Sequence, residues 1–217
     1  MPPWYRRRRD YNIYNRKITV ITKVNVLQDD ERIPVSWLKI IDATSIIQKK
    51  QIVIDMWKDV MSNELSLTID YLSKHLEDVF VFKSDEHYYL LYVISGNASE
   101  LLYYVGGNPK DTVDIKDKFP VDIARFYKEL HNGFYDYCYK SMGIVEADDA
   151  EKLSSKIDED RAELNDAICI FSNGMGDYVA YDQKEQKAIL WLTSDEPDFD
   201  ICFWGVVDEW ICLGMKT

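Results

Sequence analysis

Residues 167–193 read AICIFSNGMGDYVAYDQKEQKAILWLT, and this stretch decides the fold class. Three apolar runs, AICIF at 167–171, DYVAYD at 177–182 and KAILWLT at 187–193, are separated by SNGMG and QKEQ. Short runs of this kind, bounded by Gly, Asn and polar clusters, predict three antiparallel strands in a meander. Val179 and Tyr181 alternate with Tyr178, Ala180 and Asp182, as a strand with two different faces requires. The glycines of SNGMG fit a hairpin turn with positive φ, although Asn173–Asp177 could also cradle an anion through its N–H groups. Beyond the acidic loop 195–200, Phe203, Val206, Val207, Trp210 and Ile211 recur at helical spacing and predict a closing helix. Trp191 and Trp210 are expected in the core.

Upstream, FPVDIARFYKELHNG predicts a helix opened by Pro120 and closed by Asn132-Gly133, with Ile123, Phe126, Tyr127 and Leu130 on one face. The run 147–164 carries Ala150, Leu153, Ile157 and Leu164 in a charged background and predicts an amphipathic helix. In the first half, 17–27 alternates as a strand, 46–61 reads as strand or helix, and 66–76 reads as a helix with Ser66 as its N-cap. Residues 79–82 and 88–94 flank a short polar loop and predict a hairpin. The whole is an α+β fold, mainly an antiparallel β-sheet flanked by helices.

Gly106-Gly107-Asn108-Pro109 is the strongest punctuation in the chain. It coincides with a change in charge. Residues 1–110 hold 15 basic and 14 acidic side chains, whereas 111–217 hold 11 basic and 24 acidic. The expected organisation is an N-terminal α/β extension at 1–110, packed on or extending a second unit at 111–217.

The net charge of −12 argues against general nucleic-acid binding and against anionic membranes. No stretch approaches the roughly 18 apolar residues of a membrane span. The start MPPWYRRRRDY does not read as a signal peptide, so a cytoplasmic location is expected. Arg6–Arg9 resemble an RNA- or phosphate-binding tract, but a solvated terminus is the default. Cys138, Cys169, Cys202 and Cys212 form no CxxC pair, so no zinc or redox site is indicated and the thiols read as small core residues.

Catalysis needs a nucleophile with a base in reach. His75, His87 and His131 lie in no recognisable motif, and no cofactor, metal or catalytic set is expected. Asp177 reads as a functional carboxylate or as a hydrogen-bond acceptor for the turn. Tyr135, Tyr137 and Tyr139 alternate in FYDYCY, so an extended strand would present them on one face, at an interface or on a half-buried sheet. Asp195, Glu196, Asp198 and Asp200 form an acidic loop in which Phe199 either anchors a partner or tucks onto the sheet. That loop lacks the spacing of a calcium-binding loop.

FPVDIARFYKELHNG, AICIFSNGMGDYVAYD with AILWLTSDEPDF, and FWGVVDEWICLG resemble, in order and spacing, the signatures of the SUKH superfamily over about residues 115–217. Gly174-Met175-Gly176-Asp177-Tyr178 stands where that family usually has adjacent glycines. The resemblance implies an α+β domain and a non-enzymatic immunity protein that binds one bacterial polymorphic toxin, often a nuclease. The alternative is an intracellular regulatory module with an endogenous partner. The expected partner is a protein, a basic toxin domain. Asp195, Glu196, Asp198, Phe199, Asp200, Tyr135, Tyr137, Tyr139 and Asp177 are the candidate contact residues.

Overall fold

The computed structural model describes residues 10–13, 16–20, 33–84, 87–97, 100–110, 119–157, 161–193 and 195–216. Within them one sheet of ten strands runs in simple sequence order, every neighbour antiparallel. The strands are β1 (Asp10–Ile13), β2 (Arg16–Val20), β3 (Leu76–Ser84), β4 (His87–Ser95), β5 (Leu101–Gly107), β6 (Phe134–Asp136), β7 (Ser141–Ile144), β8 (Ala167–Ser172), β9 (Tyr178–Asp182) and β10 (Lys187–Trp191). The helices are α1 (Val35–Asp42), α2 (Ile46–Met61), α3 (Ser66–His75), α4 (Val121–Arg125) and α5 (Phe203–Gly214). This is the expected α+β class, with the meander β8–β9–β10 and the closing helix α5 where the sequence predicts them.

The strands alternate between two faces. Val79, Val81, Leu90, Tyr92, Ile94, Tyr104 and Phe134 turn toward the helices and join Trp37, Trp57, Leu72, Val207 and Ile211 in the main core. Phe82, Leu91, Val105, Tyr135 and Tyr137 form a second cluster on the opposite face. A third cluster packs Leu153 and Leu164, from the segment between β7 and β8, against Cys169, Ala180, Ile189 and Trp191 of β8–β10. Trp191 is buried as expected, whereas Trp210 is only partly buried, packed edge-on against Phe171.

The break at 106–109 does not separate two cores. Gly106 and Gly107 are the last residues of β5, which pairs with β6 across it, Gly106 opposite Phe134. The main core draws on both halves. The described strands before the break, β1–β5, thus belong to the same sheet as β6–β10. The glycines serve a close approach instead: a Cβ on Gly106 would lie 2.4 Å from His131 Nδ1, and one on Gly107 2.3 Å from the Asn132 carbonyl oxygen.

The ambiguous 46–61 is helical throughout, and Ser45 caps it by accepting the Gln48 N–H. Helix α3 is capped from outside rather than by Ser66. Its Leu67 and Thr68 N–H groups donate to Asp208 on α5, each at 2.8 Å. Helix α4 starts after Pro120, which sits at its N-cap, and the chain winds wider over Phe126–Leu130. Gly133 closes it at φ 82°.

Among the described residues of 147–164 the predicted helix is not there: they form an irregular strap with two single 3-10 turns, Leu153–Ser155 and Ala162–Leu164. It pairs with the part of β8 that β7 leaves open. Val145 N–H donates to the Ile170 carbonyl, Cys169 N–H donates to the Glu151 carbonyl, and Lys152 bridges Ile168. Leu153 and Leu164 bury on the sheet, and that burial outweighs a weak helical preference. The strand predicted at 17–27 is seen as β2, and its part at 21–27 lies outside the described residues, as do Arg6–Arg9.

Candidate protein-interaction surface

The loop after β10 is ordered by its own backbone. Leu190 and Asp198 exchange two N–H···O bonds of 2.9 Å, which continues the sheet edge by one bridge. The Asp198 carboxylate accepts the Asp200 N–H at 2.9 Å. Arg161 on the strap forks onto both Glu196 oxygens and lies 5.7 Å from the Trp191 ring centre. That guanidinium lowers the Glu196 carboxyl below its usual value. Asp195, Glu196, Asp198 and Asp200 are all exposed. Phe199 is 40% exposed and borders a recess of about 350 Å³ with Ala162, Asp166, Asp182 and Lys187. It therefore lies partly against the fold and partly in solvent.

The tyrosine stripe is broken. Strand β6 ends at Asp136, and residues 137–140 form a turn, so the period of two stops. Tyr135 and Tyr137 are buried in the second cluster, whereas Tyr139 is 81% exposed at the turn. Buried Tyr135 and Tyr137 offer little surface to a partner. Burial pushes the Tyr135 phenol up, and the Glu146 carboxylate beside it pushes it further.

Asp177 is held within its turn. Its Oδ2 accepts from Asn173 Nδ2 at 2.7 Å and its Oδ1 accepts the Thr193 N–H at 2.8 Å. Asn173 Oδ1 accepts the Met175 and Asp177 N–H groups. Gly174 and Gly176 take φ of 79° and 98°, as a hairpin turn requires. The turn N–H groups expected on the Asp177 carboxylate are thus taken by Asn173 Oδ1 instead. Met175 projects from this turn, 77% exposed, at the same end of the sheet as Tyr139.

His131 lies in the main core. Trp57 Nε1 donates to Tyr92 Oη at 3.0 Å, and Tyr92 Oη is 2.6 Å from His131 Nε2. His131 Nδ1 is 3.3 Å from the Gly107 carbonyl oxygen, an acceptor only, so Nδ1 carries the proton and Nε2 accepts from Tyr92. Burial lowers the His131 pKa to about 3, which keeps the ring neutral. With no exposed surface it meets no substrate. His75 stacks on Tyr71, and His87 is exposed at the start of β4.

Sequence reasoning missed a cavity of about 300 Å³ between the strap and the sheet. Glu146, Asp149 and Glu151 line it from the strap, and Tyr135, Cys169 and Tyr178 from the sheet. Its signal was the acidic run EADDAE at 146–151, hidden by its reading as part of a helix. Burial pushes the Cys169 thiol up to about 12, so it stays protonated. Cys212 is also buried, but Cys202 is exposed, contrary to its reading as a core residue. Among the described residues no group of three or more His, Cys, Asp or Glu could hold a metal ion, and no helix is long and apolar enough to cross a membrane. In comparisons with known proteins, no family model, no curated protein and no solved structure matches the chain.

Proposed function

We propose that the protein is a non-enzymatic, cytoplasmic immunity protein of the SUKH type. It binds a cognate polymorphic toxin, a basic nuclease domain, and occludes its active site. The observation that carries this reading is the acidic loop 195–200. Four exposed carboxylates surround a half-exposed Phe199, and the Leu190–Asp198 bridge and the Arg161–Glu196 pair hold the loop in place. An ordered loop loses little conformational entropy on binding. Its charge, set in a half-chain with 24 acidic against 11 basic residues, steers it toward a basic cleft. Phe199 supplies an apolar anchor of the kind found at the centre of interfaces.

The test is co-expression with the C-terminal toxin domain of a secreted protein encoded next to this gene. The chain should restore growth to cells that the toxin alone arrests, and the purified pair should co-elute. Failure to rescue, or rescue without a complex, overturns the reading.

A further inference from the structure

We propose that the cavity between the strap and the sheet receives a guanidinium group, an arginine side chain of the protein partner. The choice of an arginine on a protein rests on the reading above. The chemistry of the cavity does not.

A volume of about 300 Å³ lies at the small end of ligand sites, which run from about 300 to 1,000 Å³, and suits one long side chain. Three carboxylates and two lysines line it. Lys156 Nζ lies 2.6 Å from Glu151 Oε2, so those two charges offset each other. Glu146 and Asp149 then face one remaining lysine, Lys140. Among the described residues no lysine or arginine is paired with Glu146 or Asp149, and the nearby Lys110 pairs with Asp148 instead.

Glu146 is half-buried and held in place. Its Oε1 accepts from Tyr135 Oη at 2.7 Å and from Tyr89 Oη at 3.5 Å. A partly desolvated carboxylate that has phenol donors but no cation gains from an incoming positive charge. The planar guanidinium suits this site better than an ammonium. Its fork matches carboxylate geometry, and it is the more weakly hydrated cation. The exposed Tyr139 and Met175 sit on the turns beside the cavity, next to the lining residues Lys140 and Ser172. They offer apolar contact to the rest of a partner segment.

The probe is N-acetyl-arginine amide, titrated into the ¹⁵N-labelled full chain, with the neutral N-acetyl-citrulline amide as control. Saturable amide shifts are expected within 143–151 and 169–172, with at least ten-fold weaker binding of the citrulline probe. Glu146→Gln keeps an acceptor for Tyr135 and should abolish the arginine response. Asp149→Asn, at an exposed position, should weaken it several-fold and serves if the first variant unfolds. Lys140→Asn, chosen because the backbone there has φ 51°, removes the competing ammonium and should strengthen binding several-fold. Shifts that do not saturate, equal responses to the two probes, or an unchanged response in Glu146→Gln overturn the proposal. So does toxin binding of unchanged affinity by the Glu146→Gln chain, an outcome that leaves the immunity reading standing.

Discussion

The Asp208 carboxylate of α5 accepts the backbone N–H of Thr68 in α3 at 2.8 Å, across 140 residues of sequence. Its other oxygen accepts the Leu67 N–H at the same distance. Two N–H groups that a helix start leaves without intrahelical partners are thus satisfied by one buried acid, whose charge also suits the positive end of the helix dipole.

Asp208→Ala should therefore destabilise the fold by about 2–3 kcal/mol, because it strips two charge-assisted bonds from a buried helix start. Asp208→Asn should recover only part of the loss, since the amide nitrogen cannot accept. Urea unfolding midpoints of the two variants check this. Equal stability of Asp208→Ala and the parent would show that water serves the cap equally well.

His131 makes stability depend on pH. Its folded pKa is about 3, against about 6.5 in the unfolded chain. Below pH 6.5 the unfolded chain binds a proton that the folded chain refuses, so stability falls as pH drops from 6.5 toward 3 and is complete above 6.5. One such proton is worth about 1.4 kcal/mol per pH unit. Urea titrations at pH 7.5, 6 and 5 should show that slope in the parent chain and a flatter one in His131→Gln. The same slope in both would assign it to other groups.

Gly106→Ala should cost about 1–3 kcal/mol through overpacking. The new methyl would meet the face of the His131 ring, which Tyr92 and the Gly107 carbonyl hold in place. Gly205→Ala, on the exposed side of α5 with nothing nearer than 3.4 Å, should change stability far less. Thermal unfolding of the pair makes the comparison.

Neutralising Asp195, Glu196, Asp198 and Asp200 to Asn or Gln should leave folding nearly intact, as exposed charges contribute little. It should slow association with the toxin and flatten its salt dependence, since rim charges act mainly on the on-rate. Stopped-flow association at two ionic strengths reads both effects. An unchanged on-rate and salt slope would remove this loop as the steering element.

The meander 167–193, the helix at 66–75 and the closing helix were legible because their periodicity and turn residues act locally. The strap was not. Ala150, Leu153, Ile157 and Leu164 keep a helical spacing, yet the free edge of β8 takes the backbone at Glu151 and Lys152 instead. The tyrosine stripe failed for a related reason. Alternation predicts a shared face only while the chain stays extended, and β6 lasts three residues. Asp177 was expected to accept the turn N–H groups, but Asn173 takes them locally, and the Asp177 carboxylate reaches the Thr193 N–H across β9 and β10, which no local spacing announces.

What the sequence determined by itself was the α+β class, the C-terminal meander, the closing helix and the concentration of acid in residues 111–217. Each depends on local periodicity, turn chemistry or a count of charges. Only the tertiary structure decided that the ten described strands form one sheet, that Gly106 and Gly107 make room for His131 and Asn132, and that Glu146 and Asp149 line a cavity over β8. Those depend on which distant backbones compete for an open sheet edge and on how closely they approach, and neither is written in the spacing of residues along a single stretch.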